Sequence, residues 1–327
     1  MIKIVSPLAT GSGAHVLHKN LEKHIPGYSV KGYNPYLTLM PLSLKAVRIK
    51  GAGIIHTTPD YACFFIKPKV PSVITFHGYT LDSWIMPYST LLQRIHCRTD
   101  LRLFTRLAVS KASTITAVSR YMAALARKDL GISGTIKVIY NGIDTDIFFP
   151  DPSKREEREI RVLFSGHPTR RKGAHWLPAI ADRLNSGITI YYTSGLRDRG
   201  MISPRLNLLP VGPIPYARMP EVYNKMDILL MPTVREGFGL AVAEAMACGL
   251  PVVASNCSAI PELVDDTRGG FLCSVGDVAA FADKINTLAE SPSLRKEMGA
   301  YNRTRVEKHF TIQKMIHGYS ELFETLC

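Results

Sequence analysis

The clearest structural signal in this chain lies in the residues Met231-Pro-Thr-Val-Arg-Glu-Gly-Phe-Gly-Leu-Ala-Val-Ala-Glu-Ala-Met-Ala-Cys-Gly-Leu-Pro251. The apolar run Asp227–Met231 that leads into them predicts a buried strand, and the alanine-rich run over about residues 240–248 predicts a helix. Gly249 stands where a left-handed C-terminal cap belongs, and the proline two residues later prevents the helix from continuing. Because Val252–Ser255 predicts another strand, the whole stretch reads as strand, glycine-rich turn, helix and strand.

Two carboxylates accompany the glycines of this turn. Glu236 follows the first strand, at the edge of a parallel sheet where ligands bind, and Glu244 lies in the helix, where it can accept hydrogen bonds from a diol. Between them, the backbone N–H groups of residues 237–240 begin a helix and favour an anion such as a phosphate. This combination suits a nucleotide sugar. The alternative is that Glu236 is an acid at a helix N-terminus and Glu244 a solvated helix residue.

Length and composition indicate a globular protein of two domains. The chain has 327 residues, of which 46% are hydrophobic and 20% charged. Its N-terminus has no signal-peptide pattern, and no apolar run approaches the roughly 20 residues that span a bilayer. The six cysteines form no CxxC pair and no metal-ligand pattern, so we expect buried free thiols in a reducing cytoplasm.

The positive charge is unevenly distributed along the chain. The formal net charge is +13, and residues 1–150 hold 18 Lys and Arg against 7 Asp and Glu, whereas residues 151–327 hold 22 against 20. Such a surplus points to a nucleic acid, an anionic membrane surface or an anionic substrate. Since the basic residues are not interleaved with aromatic ones in a recognisable module, we do not expect nucleic acid as the partner.

Strand-like runs alternate with helix-like runs in the first half, which indicates a doubly wound parallel sheet. A glycine-rich turn follows the first strand-like run, and its Gly11 and Gly13 let the backbone approach a phosphate. Val16 replaces the third glycine of the dinucleotide fingerprint GxGxxG, so a tight turn without ligand is the alternative. His77 closes another strand-like run, at a sheet edge where it is either catalytic or structural.

A basic segment interrupts this alternation. The apolar loop Trp84–Tyr88 precedes a helix that we expect over Ser89–Ala108. Four-residue steps drift only about 40° around a helix, so one face is expected to hold Arg94, Arg98, Arg102 and Arg106. The other face is expected to hold Leu92, Leu101, Leu103, Phe104 and Leu107. This pattern fits adsorption to anionic lipid, and the alternative is a surface helix with solvated arginines.

The second half begins after a charged stretch without periodicity, Asp151–Glu159, which predicts an interdomain linker. Just before it, Asp144-Thr-Asp146 matches the metal-binding DxD pattern, but its position ahead of the linker favours turn chemistry. The run Ile160–Gly166 opens a second sheet, and the turn after it carries Arg170, Arg171 and Lys172. Cations at a strand-to-helix turn are placed to neutralise a diphosphate, although a solvated basic turn fits equally.

Taken together, these motifs resemble those of the retaining glycosyltransferases of family 4, which have the GT-B architecture. The most specific match is the run from Glu236 to Glu244, which resembles the family's E-x7-E motif. Ala247–Val252, Pro261–Val264 and Asn141–Asp144 also resemble family segments, and the likeness covers nearly the whole chain. The resemblance implies an α/β fold of two Rossmann-like, doubly wound parallel-sheet domains that face a cleft.

The same resemblance divides the chain. Residues 1–150 would bind the acceptor, residues 151–310 would bind the nucleotide sugar, and a helix over residues 311–327 would pack back on the first domain. Lys172 would bind the diphosphate, and Glu236 would contact hydroxyls of the transferred sugar. Glu244 would bind the ribose, and the distal phosphate and the sugar would be held by the backbone of Gly237, Phe238, Gly239 and Leu240.

Further roles follow from the resemblance. His77 would contact the sugar, and the turn at Gly11 and Gly13 would lie near the phosphate and the acceptor. The family usually has arginine where this chain has His167, so the neighbouring Arg170 or Arg171 would supply the missing positive charge. The basic segment, with Trp84, would meet the membrane or a membrane-bound acceptor.

The expected reaction moves a hexosyl group from a UDP- or GDP-linked sugar to a lipid-linked or saccharide acceptor, with retention of configuration and without a metal or other cofactor. We expect the protein in the cytoplasm, in peripheral contact with the inner face of the membrane, in cell-envelope or glycan biosynthesis. The alternatives are a sugar-nucleotide-binding protein with little activity and a GT-B enzyme that epimerises or phosphorolyses its substrate.

Overall fold

The computed structural model describes residues 2–84, 87, 90–151, 159–193 and 202–326. Most of the predicted linker, and part of the apolar loop that begins at Trp84, lie outside these residues. The chain forms two compact units, of which the first consists of Met1–Gly142 and Gln313–Cys327 and the second of Ile143–Ile312.

We predicted the boundary between the domains at residue 150, and the first unit ends earlier, at Gly142. Ile143 belongs to the second unit because its N–H donates to the carbonyl of Phe310 and its carbonyl accepts a hydrogen bond from Ile312. The first unit resumes at Gln313 rather than at residue 311. The backbone pairing of Ile143 with Phe310 and Ile312 therefore sets this boundary. No local sequence pattern predicts a pairing between such distant parts of the chain.

Each unit contains a six-stranded parallel sheet. The strands of the first unit are β1 (Ile4–Ala9), β2 (Tyr28–Tyr33), β3 (Ile54–Thr57), β4 (Ser72–Phe76), β5 (Thr114–Ala117) and β6 (Ile136–Val138). Those of the second unit are β7 (Ile160–Phe164), β8 (Ile188–Tyr192), β9 (Leu208–Pro210), β10 (Ile228–Met231), β11 (Val252–Ser255) and β12 (Gly270–Cys273). These two sheets confirm the predicted α/β fold.

Helices connect the strands of both units. In chain order they are α1 (Gly13–His24), α2 (Leu91–His96), α3 (Arg102–Lys111), α4 (Arg120–Leu130), α5 (Leu177–Ala181), α6 (Met219–Asn224), α7 (Leu240–Ala247), α8 (Ile260–Leu263), α9 (Val278–Glu290), α10 (Pro292–His309) and α11 (Ile312–Glu324). The last helix begins at the end of the second unit and belongs, from Gln313 onward, to the first.

Each sheet contains a point where the order of its strands reverses. The first sheet has the order β2-β1-β3-β4-β5-β6, so the chain leaves β1 for one side and continues with β3 on the other. The second has the order β12-β11-β10-β7-β8-β9, which places the reversal between β7 and β10. In open parallel sheets, ligands bind beyond the carboxyl ends of the strands at such a reversal.

Of the two strands beside the second reversal, β10 is fully buried, whereas β7 is buried only from Val162 to Phe164. All four residues of β10 have 0% exposure, as expected for a continuous apolar run in a parallel sheet covered on both faces. The helix that follows, α7, ends at Ala247, and Gly249 has a φ of 76°, which confirms the predicted left-handed cap. The sequence does not predict β2, because its residues Tyr28-Ser-Val-Lys-Gly-Tyr33 are only partly apolar and form an edge strand.

Candidate active site

Two loops of the second unit meet at its strand reversal. The loop after β7 carries the cationic turn Arg170–Lys172, and the loop after β10 carries Glu236. Because β7 and β10 are hydrogen-bonded neighbours that run in the same direction, the loops that follow them lie side by side. The fold therefore brings together two segments that the sequence analysis assigned to the same ligand.

The approach of these loops depends on Gly173. This residue has a φ of 79°, and a Cβ atom on it would lie 1.8 Å from the carbonyl oxygen of Pro232. The loops are also joined by a hydrogen bond of 3.2 Å from the hydroxyl of Thr233 to the carbonyl of Arg171. Because only glycine permits so close an approach in this conformation, the cationic turn is held against the loop that carries Glu236.

Glu236 is buried among positive charges. Its Oε1 atom lies 2.6 Å from Nζ of Lys172 and 3.7 Å from Nη1 of Arg171, and it accepts a hydrogen bond of 3.1 Å from the hydroxyl of Thr233. Burial by itself raises the pKa of this carboxyl group, but the two cations and the hydrogen bonds outweigh it, so the pKa of Glu236 lies below its ordinary value. Glu236 is therefore a carboxylate at neutral pH.

The helix that follows Glu236 begins without a side-chain cap. Gly239 is the N-cap of α7, has a φ of 104° and offers no side-chain cap. The first N–H groups of a helix have no acceptor within it and carry the positive end of its dipole. A Cβ atom on Gly239 would lie 3.1 Å from Ile260 and 3.2 Å from Leu263, so close packing also favours glycine here.

Glu244 is buried on α7 and accepts hydrogen bonds from two tyrosines. Its Oε1 atom accepts from the hydroxyl of Tyr216 at 2.9 Å, and its Oε2 atom from that of Tyr223 at 2.8 Å. Burial raises the pKa of Glu244 to about 7, against the opposing effect of these hydrogen bonds and of Lys172. The alternative of a solvated helix residue is wrong, because Glu244 is 5% exposed. The sequence did not indicate that either tyrosine contacts Glu244, since no motif marks these pairs.

The other polar residues of the loop after β7 include His167, Arg170 and Arg171. His167 and Arg170 are exposed, and neither side chain donates a hydrogen bond to a residue that the structure describes. Arg171 is partly engaged, because its Nη1 atom also donates to the carbonyl of Arg235 at 2.8 Å. Arg170 therefore has donors that no described residue occupies.

The glycine-rich turn of the first unit lies at the strand reversal of its sheet. It follows β1 and leads into α1, whose N-cap Ser12 accepts a hydrogen bond of 3.1 Å from the N–H of His15. A Cβ atom built on Gly11 or Gly13 would have no atom of the described residues within 4 Å. The described residues therefore leave room for at least a methyl group beside these two glycines.

His77 follows β4 and belongs to a cluster of histidines. Its Nε2 atom lies 2.9 Å from Nε2 of His18, which is on α1, and the ring of His18 stacks on that of His56. Burial lowers the pKa of His77 to about 4. Sequence reasoning missed His18 and His56, because they lie in different elements and only the packing of α1 on the sheet brings them to His77.

The basic segment differs from the regular helix that we predicted. It is helical from Leu91 to Lys111, but Cys97–Leu101 forms a π-helical turn between α2 and α3. Arg102 is paired with the carboxylate of Asp129 on α4, at 3.1 Å, and Arg94 donates a hydrogen bond to a backbone carbonyl. Arg94 and Arg102 therefore have partners within the unit, whereas Arg98 and Arg106 are exposed.

The predicted apolar face of this segment is only partly buried. Its buried side chains are Cys97, Leu101, Thr105 and Ala108. Several large apolar side chains face solvent instead, and these are Trp84, Leu91, Leu92, Ile95, Leu103 and Leu107. A second group of exposed apolar side chains lies on and between the 3-10 turns Pro35–Leu39 and Pro41–Ala46, and consists of Tyr36, Leu39, Met40 and Leu42. The first unit thus carries both positive charge and exposed apolar side chains.

Several further predictions concern metals, cysteines and membrane spans. The carboxylate of Asp144 accepts a hydrogen bond of 3.1 Å from the N–H of Asp146, which confirms the predicted turn. Within the described ranges, no three His, Cys, Asp or Glu side chains are grouped to hold a metal ion. The described cysteines are free thiols, but Cys63 and Cys257 are only partly buried. None of the described helices is long and apolar enough to cross a membrane.

Comparison with known proteins gives matches in both units. The model of glycosyltransferase family 4 matches residues 8–147, and that of the group 1 glycosyl transferases matches residues 206–305. The alpha-maltose-1-phosphate synthase of Mycolicibacterium smegmatis is 26% identical, over 93% of this chain and 85% of its own length.

Solved structures share the whole fold. Sucrose-phosphate synthase of Thermosynechococcus elongatus superposes with a TM-score of 0.85 at 18% identity, over 100% of this chain and 99% of its own. HepE of Anabaena, solved with UDP and glucose, superposes with a TM-score of 0.79 at 20% identity, over 99% and 100%. The two parallel sheets and these superpositions show the GT-B fold, and the two family models identify the chain as a glycosyltransferase. The chain belongs to glycosyltransferase family 4.

Proposed function

We propose that this glycosyltransferase moves a hexosyl group from a nucleoside diphosphate sugar, UDP- or GDP-linked, to a lipid-linked or saccharide acceptor with retention of the anomeric configuration. The observation that carries the proposal is the contact between Lys172 and Glu236 at the strand reversal, beside the uncapped start of α7. It combines a cation for the diphosphate with an acceptor for sugar hydroxyls.

The positive charge of the second unit suits a diphosphate leaving group. An ammonium group has three donors, so Lys172 can keep its contact with Glu236 and still donate to a phosphate oxygen. Arg170 has unused donors, and the start of α7 adds backbone N–H groups. Because charge develops on the diphosphate as the bond to the sugar breaks, fixed cations and dipoles stabilise the transition state. We therefore propose that transfer needs no metal and continues in the presence of EDTA.

Glu244 suits the ribose of the nucleotide. A carboxylate offers about four lone-pair sites, and the two tyrosine hydroxyls occupy one on each oxygen. Ribose hydroxyls can donate to the remaining sites. Because the residue Tyr216 is 56% exposed, one ribose hydroxyl can also replace its hydroxyl as a donor. The UDP in the HepE structure supports a uridine nucleotide as the first one to test.

The proposed transfer needs no nucleophile from the enzyme. The bond between the anomeric carbon and the diphosphate oxygen breaks, and the acceptor oxygen bonds to the same face of the sugar. The acceptor's proton passes to the departing phosphate oxygen. In this scheme the protein binds and orients the donor and stabilises the leaving group.

The first unit suits an acceptor at an anionic membrane. Residues 1–150 hold most of the net positive charge, and the segment around Arg98 and Arg106 exposes large apolar side chains. We propose that the protein lies in the cytoplasm and binds peripherally to the inner face of the membrane. Cations with apolar side chains between them are the features that adsorb to anionic lipid.

Binding of nucleotides to a Lys172→Met variant tests the donor site. We expect UDP or GDP, but not both equally, to stabilise the wild-type protein in a thermal-shift panel that includes ADP. Replacement of Lys172 is expected to weaken nucleotide binding at least about tenfold, because a charged hydrogen bond contributes about 1.5–3 kcal/mol. Calorimetric titration of the folded variant measures this loss.

A matched variant controls for the change of charge. Lys225→Met removes an exposed lysine of the same unit, and we expect it to leave the nucleotide affinity unchanged. If no nucleotide bound the wild-type protein, the proposed function would be refuted. Nuclear magnetic resonance of the product determines its anomeric configuration. The identity of the product also distinguishes transfer from epimerisation or phosphorolysis. Nucleotide binding without any product would favour the weakly active binder.

A further inference from the structure

A chain of short hydrogen bonds runs through the first unit and ends at His77. Nε2 of His18 lies 2.9 Å from Nε2 of His77, and Nδ1 of His18 lies 2.8 Å from the hydroxyl of Tyr28. That hydroxyl lies 2.7 Å from Nδ1 of His56, whose Nε2 lies 2.7 Å from Oγ1 of Thr75. The contacts join α1, β2, β3 and β4, so they exist only in the folded unit.

The chain is closed to solvent at its centre. His18 and His56 have 0% exposure, and their rings stack with centroids 4.2 Å apart. At the far end, Thr75 bonds to Thr116 at 2.6 Å and lies 3.3 Å from the hydroxyl of Tyr319 on α11. Near its centre, Oγ of Ser6 lies 2.7 Å from Nδ1 of His18.

Burial keeps the three histidines neutral. It lowers the pKa of His18 and His56 well below the ordinary value, and their mutual proximity lowers it further for His18. A neutral imidazole has one nitrogen that donates and one that accepts. The hydroxyl of Tyr28 has a single proton, and burial raises its pKa well above the ordinary value, so that it keeps this proton.

These proton counts couple the tautomers of the three rings. Only one proton fits between the facing Nε2 atoms of His18 and His77, so these two rings have opposite tautomers. When the hydroxyl of Tyr28 donates to His18, it accepts from His56, and when it donates to His56, it accepts from His18. As long as this hydroxyl bridges the two rings, and Ser6 does not donate to Nδ1 of His18 in its place, His18 and His56 also have opposite tautomers, and His56 and His77 have the same one.

The free end of this chain is Nδ1 of His77. It is shielded from solvent and has no hydrogen-bond partner among the described residues. An unpaired buried polar atom costs free energy and calls for an explanation. A reversal of the whole chain would change Nδ1 of His77 from a donor to an acceptor, so its bonding character depends on residues that it does not touch.

We propose that His18 and Tyr28 are positioning residues for His77: the buried relay fixes its ring orientation and tautomer, and thereby gives Nδ1, which is shielded in this structure, one defined hydrogen-bonding character toward a substrate hydroxyl. This inference rests on the proposed glycosyl transfer, in which His77 contacts substrate. Tyr28 and His18 act through His77 and do not contact the reacting atoms.

The tautomers can be read directly. Long-range proton–nitrogen spectra of protein with 15N-labelled histidine distinguish the two neutral tautomers, and His→Gln variants assign the signals. We expect one tautomer for His18 and the other for both His56 and His77. Removal of the bridging hydroxyl by Tyr28→Phe is expected to leave His77 as a mixture of tautomers. The same tautomer on His18 and His77 in the wild-type protein would overturn the proposal.

Kinetics add a second reading, with a control from the same strand. Tyr28→Phe is expected to lower kcat for glycosyl transfer about fivefold, the effect of one neutral hydrogen bond, with little change in the donor KM. Tyr33→Phe makes the same change at the other end of β2, where the hydroxyl has no hydrogen-bond partner among the described residues, and is expected to leave kcat and the His77 tautomer unchanged. A Tyr28→Phe variant identical to wild type in both readings would refute the relay.

A second variant keeps the test decisive if Tyr28→Phe does not fold. His18→Gln retains an amide that can bond to His77 but cannot pass on the bonding direction set at Tyr28. We expect it to fold and to uncouple the tautomer of His77 from that of His56, and continued coupling would contradict the relay. Absence of glycosyl transfer with every donor would reject the proposed function. Because the spectra need no substrate, the tautomers would still show whether the relay exists.

Discussion

Glu244 shows how the same residue type takes a different role once it is buried. In the sequence it is one carboxylate of an E-x7-E run, and a solvent-exposed helix position is as consistent with the spacing as a ribose site. In the fold it is a buried residue of α7 that accepts hydrogen bonds from the hydroxyls of Tyr216 and Tyr223, and burial raises its pKa to about 7. Its partner in the motif, Glu236, has a lowered pKa because two cations lie beside it.

The raised pKa of Glu244 makes stability depend on pH. Its pKa is higher in the folded than in the unfolded protein, so its contribution to stability is present at low pH and is lost as the pH rises through about 7. Glu244→Gln removes this titration. We expect the melting temperature of the wild-type protein to fall relative to that of the variant between pH 5 and pH 8, by about 5 °C.

An exposed position controls for the change from Glu to Gln. Glu297→Gln alters a solvent-exposed residue of the same unit, and we expect its melting temperature to follow that of the wild-type protein across the pH range. The comparison concerns the slope with pH, since an amide in place of the Glu244 carboxylate pairs less well with two hydroxyl donors and shifts the curve at every pH. Parallel curves for wild type and Glu244→Gln would show that Glu244 does not titrate in this range.

At the level of secondary structure, the basic segment shows where a periodic pattern misleads. Arginines at four-residue spacing predict one face of a regular helix, but the π-helical turn Cys97–Leu101 changes the relation between α2 and α3. Arg102 then reaches Asp129 on α4, and Leu92 and Leu103 are exposed at 79% and 56%. Of the four arginines, Arg98 and Arg106 are exposed, and exposed leucines lie in the same segment.

A double variant of these two arginines tests membrane binding. Arg98→Ala with Arg106→Ala is expected to reduce sedimentation with phosphatidylserine vesicles at least about tenfold in affinity, since each basic residue near an anionic surface contributes about 1 kcal/mol. Arg102 is left in place because its loss would break the pair with Asp129 and disturb the fold. Higher salt is expected to weaken the binding of the wild-type protein.

Two lysines of the second unit provide the charge-matched control. Lys296→Ala with Lys308→Ala removes the same charge from exposed positions on α10, and we expect vesicle binding to persist. Equal binding by the arginine variant and the wild-type protein would rule out this segment as the membrane contact. Equal losses in both double variants would mean that overall charge, and not a defined surface, attracts the protein to lipid.

For the molecule as a whole, the chain completes its first unit only with its last helix. Tyr319 and Phe323 on α11 are buried, and their rings lie 5.0 Å and 5.4 Å from that of His56. Phe323 also packs against Tyr28. The helix therefore covers the histidine relay, and the stability of the first unit depends on residues that are synthesised after the whole of the second.

Truncation of Phe323 tests this dependence. Phe323→Ala is expected to lower the free energy of unfolding of the first unit by about 3–5 kcal/mol, because it leaves a cavity in the core of that unit. Chemical denaturation followed by hydrogen exchange of the two units measures the loss. His317→Ala, at an exposed position of the same helix, is expected to have little effect. A Phe323→Ala protein as stable as wild type would mean that α11 is only loosely attached.

Much of this protein could be predicted from short stretches of sequence. Apolar runs placed β10 and β11, glycine and proline placed the end of α7, and the spacing of Glu236 and Glu244 indicated a site for a nucleotide sugar. These signals are local, since the periodicity of a strand, a helix cap and a turn each depend on a few consecutive residues.

The contacts that set the chemistry needed the folded chain. Lys172 reaches Glu236 because Gly173 lets two loops touch, Glu244 is buried by tyrosines from another segment, and His18 meets His77 across 59 positions of sequence. Each of these contacts joins residues that lie far apart in the chain and carry no common pattern. Their distances, burial and resulting pKa values arise only when the parallel sheets form and bring the loops at their carboxyl edges together.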